Sequence, residues 1–275
     1  MLRARFLSAV VLLPLVFLLI YAGGLPWLGA VLLVGILGWR EMAQLLQRDH
    51  FTVDRNLGLF FIVGAIAEAY AQASGLLHRW DFPDLLRPLL AALIIFSLVW
   101  ALYDKGEHPT ADWGVTVASA LYLGFMLGHL VALRERSPGP GGEGFRWVLL
   151  ALVLTWVTDT LAYFVGSVLG RRKLWQRISP KKTWEGLIAG TVGVLIAAPL
   201  LSWWWLGLNP WWGLLLGALA AAAAPFGDFA VSLLKRMARI KDSSQLIPGH
   251  GGVLDRLDSL LFVFPVVTYF AWVVT

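Results

Sequence analysis

The sequence predicts an all-α, polytopic transmembrane helix bundle, and three features carry that reading. Apolar residues make up 59% of the 275 and charged residues only 14%, against roughly 25% charged in a soluble domain. The apolar residues fall into runs of the length a helix needs to cross the hydrocarbon core, about 20 residues. The Lys and Arg residues lie between those runs, mostly on alternate connections. Mean hydropathy is +0.73, too high for outer helix faces wetted by water.

Taken in order, the runs give about nine spans, at roughly 4–22, 25–45, 57–76, 86–103, 111–133, 145–169, 184–206, 211–234 and 254–274. The first follows Arg3 and Arg5 like a signal peptide. It lacks a clean small-residue cleavage pattern and another run begins at once, so it reads as a retained span. Helices are preferred throughout because isolated strands leave backbone groups unsatisfied in lipid. With the N-terminus cytoplasmic, 17 of the 22 Lys and Arg residues fall on the cytoplasmic side, as orientation by positive charge requires. Arg79, Arg87, Arg134, Arg136 and Arg146 fall on the other. Trp203, Trp204, Trp205, Trp211 and Trp212 flank a short outer loop and read as an aromatic belt. The Pro/Gly stretch at 137–144 is a loop. It divides residues 1–140, five spans of scaffold, from residues 141–275, four spans that carry the polar chemistry.

Composition also excludes. The chain has no cysteine, hence no disulfide, thiol nucleophile or Cys-based metal site. Its net charge of +5 sits on connections between spans, where it meets anionic headgroups, and nucleic acid is not the expected partner. In the first half, Glu68, Gln72 and His129 are intramembrane polar groups. Glu68 reads as bonded to a neighbouring helix or protonated.

The second half is different. Asp159 stands inside the sixth span, roughly 15 Å from its cytoplasmic end, where a lone carboxylate would cost several kcal/mol; a polar cavity or a cation must reach it. Asp228, Ser232 and Lys235 follow at helical spacing on one face, with Pro225 and Gly227 placed to break the helix just before. After a basic loop come Gly249, His250, Gly251 and Gly252, a turn whose N–H groups could approach phosphate. Asp255 and Asp258 then share a face as the last helix starts. With Asp228 opposite, they form an oxygen-rich set suited to Mg²⁺. Ser179-Pro-Lys181-Lys182 precedes the seventh span, with Arg171, Arg172, Lys173 and Arg177 upstream, and suits a polyphosphate. Carboxylates and cations thus converge at the cytoplasmic ends of the last four spans, which is what phosphoryl or nucleotidyl transfer needs. A cation or proton transporter using Asp159, Asp228 and Asp258 is the reading from a different class; transport into liposomes without nucleotide or lipid substrate would reveal it.

Ser232-Leu-Leu-Lys-Arg-Met-Ala-Arg-Ile-Lys-Asp-Ser-Ser-Gln-Leu-Ile-Pro-Gly-His-Gly-Gly-Val-Leu-Asp-Arg-Leu-Asp258 resembles the signature of the phosphatidate cytidylyltransferases (CDP-diacylglycerol synthases) at every defined position. Asp159-Thr-Leu-Ala-Tyr163 and Ser179-Pro-Lys-Lys-Thr-Trp-Glu-Gly186 also resemble elements of that family. One departure is Gln176, where proline is common. The first 140 residues match in hydropathy alone. The resemblance implies that CTP and phosphatidic acid are converted to CDP-diacylglycerol and pyrophosphate, in phospholipid biosynthesis, by a multi-pass enzyme of the cell inner membrane with its site facing the cytoplasm. It implies Mg²⁺ on Asp228 and Asp255 with Asp258 beside them, and a second, monovalent cation such as K⁺ nearby. Lys181, Lys182, Lys235 and Arg236 would hold phosphates. Asp159, Ser179, Ser232, His250, Gly251, Gly252 and Arg256 would line the substrate site. Oligomeric state stays open, a homodimer included. A CTP-dependent lipid kinase shares these needs and differs by releasing CDP in place of pyrophosphate.

Overall fold

A chain in hydrocarbon must satisfy its own backbone groups, and helices do so within one segment. The computed structural model describes the backbone of residues 2–77, 86–103, 107–137, 139–247, 249 and 251–275, and the side chains of all of these except 2–9, 86 and 87. Among the described residues there are nine α-helices: α1 (Leu2–Ala22), α2 (Gly24–Arg48), α3 (Arg55–Ala73), α4 (Leu86–Ala101), α5 (Pro109–Glu135), α6 (Glu143–Val168), α7 (Trp184–Leu206), α8 (Pro210–Met237) and α9 (Leu254–Val274). Each matches an expected apolar run. Seven are long and apolar enough to cross a membrane, and the other two contribute shorter apolar stretches, Val10–Ala22 and Pro88–Ala101. The chain is a multi-pass membrane protein of the all-α class. Arg79, Lys105 and His250 lie outside the described residues.

One short hairpin interrupts the helices. Strands β1 (Lys173–Trp175) and β2 (Ser179–Thr183) pair antiparallel, Lys173 opposite Thr183 and Trp175 opposite Ser179. In the sequence this stretch reads only as a basic connection before the seventh span. The hairpin forms because both ends are tied: the Glu185 carboxylate accepts from the Arg171 and Arg172 N–H groups, and Thr183 Oγ1 caps α7 by accepting from Gly186 N at 3.2 Å.

Helices α3 with α5, and α6 through α9 in sequence, make the closest packing, and α9 joins the two groups by lying against α5 as well. Small residues permit this, as expected where lipid gives no hydrophobic drive between helices. A Cβ on Gly190 would lie 2.6 Å from the Thr158 carbonyl oxygen, and one on Gly227 2.4 Å from that of Asp258. The second contact corrects an expectation. Pro225 and Gly227 do not break α8, which runs unbroken from Pro210 to Met237; Gly227 instead lets α8 and α9 touch through their backbones, beside Asp228 and Asp258.

Polar groups of the first half are bonded within the protein. Glu68 accepts from Gln72 Nε2 at 2.6 Å, one turn along its own helix, while His129 Nδ1 meets the Phe125 carbonyl at 2.8 Å. Arg134, counted with the outer-loop charges, is fully buried. Its guanidinium donates to the carbonyls of Ile20, Tyr21 and Gly139, clamping the turn between α1 and α2.

Candidate active site

Four elements build the site: β2, α6, α8 and the start of α9. Successive strand residues point to opposite faces, so Lys181 is exposed while Lys182 turns inward. Lys182 Nζ lies 2.6 Å from Asp228 Oδ2 and 4.5 Å from the centre of the Phe229 ring. One helical turn on, Ser232 Oγ donates to Asp228 Oδ1 at 3.0 Å. Asp258, across the Gly227 contact, interacts electrostatically with Asp228, Asp159 and Lys235. Asp159 on α6 interacts with Asp228 and Lys182 and faces the buried Ser259 hydroxyl. The four elements therefore bring Asp159, Lys182, Asp228, Ser232, Lys235 and Asp258 to one place.

Asp255 reaches the same place through Lys235. Its Oδ1 accepts from Lys235 Nζ at 2.7 Å, while its Oδ2 accepts from the N–H groups of Ser243 and Gly252 at 2.8 and 3.0 Å. The two ion pairs differ in access. Side chains of Lys182 and Asp228 are 28% and 25% exposed, those of Lys235 and Asp255 only 10% and 7%. The first pair is open to an incoming ligand. The second is interior and holds the loop.

Several expected contacts are engaged otherwise. Arg236 donates from Nε to the Ile178 carbonyl and from Nη1 to that of Ile240, at 3.1 and 3.2 Å, and so fastens the hairpin to the end of α8. Gly252 N is taken by Asp255, and the Gly251 carbonyl accepts from Ile247 N at 2.9 Å. Arg256 is exposed. Ser179 pairs with Trp175 beside the hairpin's turn.

Glu41 on α2 escaped sequence reading. It is buried and accepts from Ser243, Ser244, Val253 and Leu254, the frame of the α9 start. The available signal was an acidic residue beside Arg40 near the end of an apolar run, a pattern that ordinary interfacial charge also gives.

Four carboxylates face two ammonium groups here, an excess of negative charge that like-charge repulsion opposes unless a cation joins. Among the described residues no three such donors are already grouped to hold a metal ion. The donor chemistry nevertheless fits a hard divalent cation, all carboxylate oxygen, and Asp228 and Asp255 each already pair with a cationic lysine ammonium group. Beside this polar centre, an apolar groove of about 460 Å³ runs between α7 and α8, lined by Trp175, Trp184, Ala218, Ala222, Phe226 and Phe229 among others.

A charged centre with an adjoining apolar groove suits a phosphate ester of a lipid. Comparison with known proteins agrees: the pattern of the "Cytidylyltransferase family" matches residues 3–274. The phosphatidate cytidylyltransferase of Synechocystis sp. is 34% identical, covering 97% of this chain and 95% of its own length. That of Haemophilus influenzae is 32% identical over 98% of each chain, and that of Staphylococcus haemolyticus 30% identical over 96% of each. The chain belongs to the phosphatidate cytidylyltransferase family. It is an enzyme, and the family pattern covers the first five helices as well, which in the sequence matched by hydropathy alone. The α8–α9 connection that carries the phosphatidate cytidylyltransferase signature is also the segment that Asp255 and Glu41 hold in place.

Proposed function

We propose that this enzyme transfers the cytidylyl group of CTP to phosphatidic acid, giving CDP-diacylglycerol and pyrophosphate, at the cytoplasmic face of the cell's inner membrane. The observation that carries the reading is the accessible Lys182–Asp228 pair, seated between the carboxylates of α6 and α9 and the apolar groove of α7 and α8. An oxygen of the lipid phosphate attacks the α-phosphorus of CTP in line. A new P–O bond forms, the bond to the β-phosphate oxygen breaks, and pyrophosphate leaves with the electron pair. The lipid phosphate is already ionised near pH 7, so no general base is needed. Lys182 and Lys235 neutralise phosphate charge as it shifts to the leaving group; Lys181, on the exposed face of β2, draws in the triphosphate. Asp228, Asp255 and Asp258 would hold Mg²⁺, with a monovalent cation such as K⁺ beside it, and the bound ion would supply charge neutralisation of the phosphates. Lipid acyl chains lie along the α7–α8 groove.

Purified enzyme given CTP, phosphatidic acid and Mg²⁺ should release pyrophosphate and form a CMP-bearing lipid. Release of CDP would mark a lipid kinase instead. Lys182→Ala removes a charge-assisted phosphate contact of about 1.5–3 kcal/mol, so the KM for CTP should rise by about tenfold or more; an unchanged KM counts against the contact. Ala222→Phe narrows the groove and should raise the KM for long-chain phosphatidic acid severalfold while leaving that for CTP alone. Equal effects on both substrates would place the acyl chains elsewhere.

A further inference from the structure

A carboxylate taken out of water is costly unless it is paired or fully hydrogen-bonded. Glu41 is 4% exposed, and among the described residues neither ion pair involves it. Its charge is met by the N-terminal end of α9, where helix N–H groups and the helix dipole favour an anion. Oε1 accepts from Ser244 Oγ at 2.6 Å and from Val253 N at 2.9 Å. Oε2 accepts from Ser243 Oγ at 2.8 Å and from Leu254 N at 2.9 Å. One side chain on α2 thus ties two segments of the α8–α9 connection that lie ten residues apart in sequence. From these same segments Asp255 takes the N–H groups of Ser243 and Gly252. The fit is tight: a Cβ on Gly252 would lie 2.0 Å from Ser243 Oγ and 2.5 Å from Glu41 Oε2.

We infer that Glu41 is a positioning residue for the transfer, holding the 243–244 segment against the first turn of α9 so that Asp255 presents its free oxygen to Lys235. The inference rests on the reading that Asp255 and Lys235 act in that reaction. Helix N-termini commonly offer N–H groups to phosphate; at α9 Glu41 takes those of Val253 and Leu254.

The hydrogen bonds demand a carboxylate and no isostere. Each oxygen of Glu41 faces one hydroxyl, which can rotate to accept, and one backbone N–H, which cannot. A glutamine has a single acceptor oxygen. Whichever way its amide is turned, its NH₂ meets either Val253 N–H or Leu254 N–H, leaving a buried donor unsatisfied. Ser244→Ala, by contrast, removes one hydroxyl and leaves both N–H acceptors in place.

The test uses the full-length enzyme, with steady-state kinetics, thermal unfolding and amide hydrogen exchange measured on Glu41→Gln and Ser244→Ala. A misplacement of about 1 Å can cost roughly a hundredfold in rate, so Glu41→Gln should lower kcat by about that factor. KM for CTP and for phosphatidic acid should stay within about threefold. Exchange should quicken at residues 252–255 while the amides of α3 and α5 keep their protection, and Ser244→Ala should keep most of its kcat. Two results would overturn the inference: Glu41→Gln retaining at least half of wild-type kcat, or its loss of activity accompanied by faster exchange throughout the helices, which is a general folding defect. A wild-type enzyme that forms no CMP-bearing lipid would instead defeat the functional reading on which the inference stands.

Discussion

Asp228→Asn should lower turnover by about a thousandfold while the protein stays inserted and folded. The substitution keeps the shape of the side chain and removes its negative charge, so the Lys182 ammonium at 2.6 Å loses its counter-ion and the carboxylate set loses the member nearest the open side. Removing one preorganised electrostatic contact from a reaction centre costs about 10²–10³ in kcat, and Asp228 touches both a lysine and a serine of the site. Stability should change little. The two side chains of the pair are 28% and 25% exposed, so water can solvate the freed lysine, and pairs of this kind are worth about 1 kcal/mol or less. Asp255→Asn makes the instructive contrast. That pair is nearly buried, and breaking a buried pair by removing one partner costs about 3–5 kcal/mol; the variant should lose activity and melt earlier. Kinetics and thermal unfolding on both variants separate the cases. An Asp228→Asn enzyme with more than about a tenth of wild-type kcat would remove Asp228 from the reaction centre.

Hydropathy made the helices legible because lipid imposes one secondary structure and one length on any spanning segment. The residue types of the site were legible for a related reason: Asp159, Asp228 and Asp258 stand in an apolar background where ionisable groups are rare and costly. What each group touches was not legible. Arg236 and Lys235 are neighbours in the sequence, yet one fastens backbone carbonyls and the other meets Asp255, a difference set by the side of α8 on which each lies. Lys181 and Lys182 divide in the same way across β2. Glu41 was hidden because its partners are 202 to 213 residues away, and no local pattern reports a tertiary contact of that span.

Gly227 shows the same limit and gives the second large effect. In the sequence, Pro225 and Gly227 read as a helix break, since each disfavours helix interiors. In the fold, α8 is continuous and the missing side chain matters across the interface. A Cβ there would sit 2.4 Å from the Asp258 carbonyl oxygen and 3.1 Å from Ser259 Cα. Both are backbone atoms, which cannot swing aside, so α8 and α9 must part. Overpacking of this sort costs about 1–3 kcal/mol. The larger effect falls on the chemistry, because the contact lies between Asp228, the next residue on α8, and Asp258 itself. Gly227→Ala should therefore lower kcat by about a hundredfold, the loss expected when reacting groups are displaced by about 1 Å, and a bulkier residue should do worse. Gly29→Ala is the control, because a Cβ at Gly29 in α2 meets nothing within 4 Å and its kcat should match wild type. If Gly227→Ala turned over as fast as that control, the α8–α9 separation could not be what sets the distance between the carboxylates.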